Sequence, residues 1–195
     1  MKTRNLLLPK MPFDYAEFIE RHPLRYSCRE SSVDIIYNQA VLFSERMIDF
    51  LSKSCKIPVS PESLEELLKS RNITIERRER TKPHHHASWH RLAWTDSDKK
   101  IIHIDENALQ KIVESSSGRN NPSRPSFQEI RGIILAHEWF HILSENLEES
   151  TDWQSLKKGE RIIMEEIAAR LFSVRLTGKY TNPFLIDDMV HISLT

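Results

Sequence analysis

Apolar positions along this chain follow two different periods, and the change between them divides it into elements. Ile35, Ile36, Ala40, Phe43, Met47 and Phe50 recur at the spacing of one helix face, which predicts a helix from about Val33 to Ser52, capped by Ser31 or Ser32. Ser60-Pro61 is an N-cap followed by proline at the first helical position. It opens a short helix through Leu64, Leu67 and Leu68. The period then drops to two. Ile73 and Ile75 alternate with polar residues and predict a strand. Trp89, Leu92 and Trp94, the turn Asp96-Ser97-Asp98, and the run Lys100 to Asp105 predict two more strands joined by that turn. A short helix follows over Glu106 to Val113.

The segment Ser115 to Ser126 is polar and rich in chain breakers, so it reads as a loop. It ends in a capping box, Ser126 with Glu129 three residues on, which opens a helix from Phe127 to about Glu145. After a polar loop from Asn146 to Lys158, a further helix is expected from Glu160 to Leu176, and a last short one after Pro183. Residues 1–30 lack clear periodicity and read as an arm with a short helix around Tyr15 to Arg21. The expected domain is residues 31–195. The fold class is α+β: a single domain with a sheet of at least three strands, packed with an N-terminal helix and two long later helices.

Composition narrows the function classes. Basic and acidic residues balance at 28 each, so no net field draws in nucleic acid or an anionic membrane. The basic run Arg77, Arg78, Arg80 and Lys82 is interrupted by Glu76 and Glu79 and reads as a solvated strand edge. Cys28 and Cys55 are too few for a disulfide scaffold and form no CxxC pair, so reduced thiols are expected. The apolar run Leu6-Leu7-Leu8 is too short for a signal-peptide core, and no stretch approaches a membrane span. A cytoplasmic location is the expectation, with no nucleic-acid or membrane partner.

The chemistry is concentrated in His137-Glu138-Trp139-Phe140-His141, an H-E-x-x-H sequence. Residues four apart share a helix face, so both imidazoles can reach one metal ion. Zn²⁺ suits imidazole nitrogen, and a catalytic site uses three protein ligands plus water. Glu138, the next residue round from His137, can take a proton from that water without being a ligand. With 9 histidines in 195 residues, chance yields such a match roughly 0.04 times. The motif also interrupts an apolar run, Ile133 to Ala136 before it and Ile142-Leu143 after it. Polar groups there need partners, and a metal supplies them.

The third ligand must come from elsewhere, and the following helix offers Glu165 and Glu166. At about 100° per residue, Glu165 shares a face with Ala168, Ala169, Phe172 and Leu176, whereas Glu166 lies near Arg170, Ser173 and Thr177. A carboxylate among apolar side chains needs a strong partner, so helix phase favours Glu165 over Glu166 as the zinc ligand. One zinc ion per chain is expected, on His137, His141 and Glu165, with Glu138 as general base.

H-E-x-x-H with a glutamate on a later helix is the gluzincin arrangement. In element order the chain resembles the ImmA/IrrE family of small zinc metallopeptidases over residues 33–176. Ile73 to Glu76, Lys100 to Asp105 and Ile133 to His141 are similar to that family's strands and motif helix. Phe140 stands where the family often has Gly, and Ile167 where its glutamate helix carries a second Glu. The resemblance implies hydrolysis of peptide bonds in a protein or peptide substrate, often a regulatory protein. The alternatives are a non-cleaving zinc-binding regulatory module of the same fold, and a structural zinc site; Glu138 argues for cleavage.

Other polar signals are weaker. His84, His85 and His86 cannot all reach one ion from a regular strand, because neighbouring side chains alternate faces. One of them, His90 or Tyr180 could donate to an oxyanion. Trp89 and Trp94 are expected in the core, and His103, alternating with Ile102 and Ile104, on the outer face of a strand.

Overall fold

The computed structural model describes residues 19–20, 25–29, 32–78, 92–115, 125–145 and 156–179. After a 3₁₀ turn at Arg25–Ser27, the elements are α1 (Val33–Ser52), α2 (Pro61–Ser70), β1 (Thr74–Arg77), β2 (Ala93–Asp96), β3 (Ile101–Ile104), α3 (Glu106–Ser115), α4 (Phe127–Ser144) and α5 (Lys158–Thr177). This is an α+β arrangement with five α-helices and one three-stranded mixed sheet among the described residues. No helix among them is long and apolar enough to cross a membrane. The expected arm, the helix at Tyr15 to Arg21, most of the loop from Ser115 to Ser126 and the helix after Pro183 fall wholly or largely outside the described residues, as do Trp89 and the histidines from His84 to His90.

Local signals set several boundaries. Ser60 accepts a hydrogen bond from the Ser63 amide with Pro61 at the first helical position, and Ser126 and Glu129 complete their capping box. Ser32 precedes α1 but makes no side-chain cap; its hydroxyl is hydrogen-bonded to Glu160 instead. Two residues read as part of the apolar face of α1, Ile35 and Phe50, are exposed, while Ile36, Ala40, Phe43, Met47 and Leu51 are buried.

Helix α5 packs against α1 on one side and α4 on another. That position explains its burial, which includes Ser173 and Thr177 along with Ile167, Ala168, Ala169 and Phe172. Small Ala168 and Ala169 suit close helix approach. Aromatic rings knit the three helices together: Phe140 of α4 lies 4.9 Å from Phe43 of α1 and 5.5 Å from Phe172 of α5. Trp139 meets Phe172 edge-on at 6.2 Å. Thus the two variable positions of H-E-x-x-H anchor the motif helix in the core. Its start is fixed by Arg131, buried, with its guanidinium 3.1 Å from Glu65 of α2 and 2.8 Å from Glu106 of α3. At the other end of α5, Gly178 takes a left-handed conformation (φ 65°), a common helix ending. Pro58 packs there so closely that a Cβ on Gly178 would lie 2.8 Å from the proline Cβ.

The sheet order is β1-β3-β2, with β1 parallel and β2 antiparallel to β3. The turn Ser97–Lys100 joins β2 to β3; Lys100, at φ 54°, donates its amide to the Ser97 carbonyl. In this register Ile75, Ile102 and Thr95 stand in one row across the sheet, and Glu76, His103 and Trp94 in the next. Because side chains alternate, the two rows face opposite sides. His103 does lie opposite Ile102 and Ile104, but it is buried, not solvated. Trp94 stacks on its ring at 4.8 Å, and Glu76 Oε2 lies 3.3 Å from its Nδ1. Trp94 itself is only half-buried and covers His103 from the outer side. Arg77 and Arg78 of the basic run pair with Glu106 and Glu76.

Candidate metal centre

From Ile130 to Ile142, every residue of α4 is buried except His137, Glu138 and His141, which are half-buried. Over that stretch the helix therefore opens to its surroundings only at the three chemically versatile residues of the motif. The two imidazoles face one another, with 3.2 Å between their Nε2 atoms.

A carboxylate completes the group, and it belongs to Glu166. Its Oε2 lies 3.4 Å from His137 Nε2, and its Oε1 lies 3.6 Å from His141 Nε2. The expectation that Glu165 would meet the imidazoles is corrected: Glu166, one residue on, holds that position. Helix phase supposes one apolar face and one solvated face. Because α5 is packed against both α1 and α4, the side that carries Ser173 and Thr177 is buried too, and Glu166, on that same side, is half-buried.

The donor set can be tested against zinc. Tetrahedral ligands at about 2.0–2.1 Å from a common ion stand about 3.4 Å from one another. The imidazole nitrogens are 3.2 Å apart, close to that spacing, and they face the two oxygens of the one carboxylate, Oε2 at 3.4 Å from His137 and Oε1 at 3.6 Å from His141. Two imidazoles and one carboxylate are also a donor set that zinc accepts. The residues fit the ion. Among the described residues this is the one cluster of histidine, cysteine and acidic side chains able to hold a metal, and it has three members. A structural zinc site is closed by four ligands, whereas a catalytic one leaves a position for water.

Burial alone would raise the Glu166 carboxyl. The hydrogen bond and charge of His137, followed by the charges of His141 and Arg170, outweigh it and hold the group well below the usual carboxylate range. Glu166 is thus an anion facing two imidazoles, as a cation site requires.

Glu138 contacts the sheet. Thr95 of β2 brings its hydroxyl within 2.6 Å of Glu138 Oε2. The H-E-x-x-H spacing marks Glu138 in the sequence, whereas no local pattern there marks Thr95. The residues put forward as oxyanion donors, Tyr180, His90 and the run from His84 to His86, lie outside the described residues.

No protein-family model, curated protein or solved structure matches this chain.

Proposed function

We propose that this protein is a zinc-dependent metallopeptidase of the ImmA/IrrE kind, with His137, His141 and Glu166 as metal ligands and Glu138 as general base. The observation that carries the reading is the convergence of two imidazole nitrogens, 3.2 Å apart, on the two oxygens of one carboxylate at 3.4 and 3.6 Å, at the half-buried edge of the motif helix. The single cluster among the described residues supports a reading of one zinc per chain.

When bound, zinc supplies Lewis acidity, polarising the substrate carbonyl and lowering the pKa of water. The chain's own groups do the rest. His137, His141 and Glu166 would hold the ion, and three protein ligands would leave a position for water. Glu138 takes a proton from the attacking water as the water oxygen bonds to the carbonyl carbon. It then gives that proton to the departing amine nitrogen as the C–N bond breaks. Trp139 and Phe140 keep the helix seated, so that Glu138 and both histidines stay at its open edge. The substrate class is a protein or peptide, with regulatory proteins the leading candidates by resemblance.

The test combines metal analysis with cleavage of a casein-like substrate. Wild-type protein is expected to carry one zinc per chain, to lose cleavage to a chelator and to regain it with zinc. Glu138→Gln should retain full zinc and cleave about 10²–10⁴-fold more slowly, the usual contribution of a general base. Equal cleavage by wild type and Glu138→Gln would overturn the peptidase reading, and zinc retention without cleavage in wild type would favour a non-cleaving module.

A further inference from the structure

Glu138 is a long side chain at the half-buried edge of α4, and a general base on such an edge needs something to fix its rotamer. Thr95 stands opposite it. It belongs to β2, which packs directly on α4, and it shares the row of the sheet that carries buried Ile102. Its Oγ1 has two acceptors within reach, Glu138 Oε2 at 2.6 Å and the Glu138 carbonyl oxygen at 3.2 Å. A hydroxyl carries one proton and so donates to one acceptor at a time. A hydroxyl donating to a carboxylate is expected at about 2.5–2.7 Å, whereas 3.2 Å is long for any O–H···O bond. The proton therefore goes to the carboxylate.

We infer that Thr95 is a positioning residue for the general base: its hydroxyl holds Glu138 Oε2 and leaves Oε1 as the oxygen that exchanges a proton with water and then with the leaving amine. The threonine proton stays on Oγ1 throughout, so the step stays balanced with Glu138 alone taking up and returning the proton. The donor is itself rigid, because a β-branched side chain on a strand has restricted χ1 freedom. Both partners sit on regular elements, and such placement holds a catalytic group more tightly than a loop does. This inference rests on the peptidase reading for its functional half; the contact itself does not.

The test uses Thr95→Val, which keeps shape and loses the hydroxyl, and Thr95→Ser, which keeps the hydroxyl. The first readout needs no cleavage: the side-chain carboxyl ¹³C resonance of Glu138, assigned by its loss in Glu138→Gln. It is expected to shift in Thr95→Val and to stay near the wild-type position in Thr95→Ser. The second is kinetic. Thr95→Val is expected to lower kcat about 10–100-fold, the scale of losing a group that orients another, with KM and zinc content near wild type. Thr95→Ser is expected to recover most of the loss. An unshifted resonance in Thr95→Val overturns the contact. A shifted resonance with unchanged kcat, or a loss confined to KM or zinc, overturns the positioning role. Wild-type protein that binds zinc and cleaves nothing removes the peptidase reading and this role with it, while the resonance still reports the contact separately.

Discussion

Glu166 places its Oε2 3.4 Å from Nε2 of His137, across the interface between α5 and α4. The neighbouring carboxylate, Glu165, makes the sharpest comparison available. Glu166→Gln is expected to weaken zinc binding by more than about 100-fold, since even an outer partner of a metal ligand is worth 10–100-fold. Glu165→Gln is expected to bind zinc within a few-fold of wild type. Zinc affinity of the two variants, measured side by side by chelator competition, decides the matter; the reverse order would assign the ligand to Glu165.

Arg131 is almost fully buried and holds two carboxylates from two other helices. Removing it takes away the cation they share and leaves each with one exposed partner, Lys69 for Glu65 and Arg77 for Glu106. Arg131→Leu should therefore cost about 1–3 kcal/mol, the scale of losing hydrogen bonds to charged groups. Denaturant unfolding of the zinc-loaded protein measures this. A cost under 1 kcal/mol would mean that the pairs are solvated in practice.

Glu160 offers a pH-dependent contribution to stability. Its side chain is fully buried, which alone would raise its pKa. The Arg29 guanidinium, the Lys157 amide and the Ser32 hydroxyl bond to it and hold it at about 2, against an ordinary 4.5. The folded value is the lower one, so the unfolded chain binds the proton first as pH falls. The stabilisation is present above 4.5 and is lost as pH falls toward 2. Glu160→Gln should be less stable than wild type near neutrality, and the gap should narrow across that window. A gap that stays constant from pH 6 to pH 2.5 in thermal melts would contradict this.

Gly178 is constrained twice, by its left-handed backbone and by Pro58 against it. Gly178→Ala is expected to destabilise the protein by about 1–3 kcal/mol through the backbone conformation alone, with further cost from the close approach. Zinc content should be unchanged, because Glu166, the one member of the cluster on α5, lies at the middle of that helix. Urea unfolding gives the number, and a neutral result would show that the end of α5 yields without loss.

What could be read from the chain alone was what depends on neighbours in sequence. The spacing of His137 and His141, the capping box at Ser126 and the proline at the start of α2 are local, and each reappears in the structure. The third donor depends on how a helix is sandwiched. Amphipathic phase assigns a helix one buried face, and α5 has two, so phase points to Glu165 where the packing presents Glu166. His103 was assigned to the correct side of its strand, but the ring that covers it comes from Trp94 on another strand. Thr95 was invisible for the same reason. It lies 43 residues before Glu138, and no local pattern ties a strand hydroxyl to a helix carboxylate.

The turn at Ser97–Lys100 contributes no atom to the metal centre, yet it acts as the site's length gauge. It sets which residue of β2 stands across from Ile102, and that residue is Thr95. Lengthening or shortening the turn by one residue would let β2 slide one step along β3, and every side chain on it would change sides. The indole of Trp94 or the carboxylate of Asp96 would then be presented to the motif helix where a small hydroxyl now stands. The machining tolerance of the motif helix's polar edge is therefore written into a four-residue loop, and insertions there should be far less forgiving than its exposed position suggests.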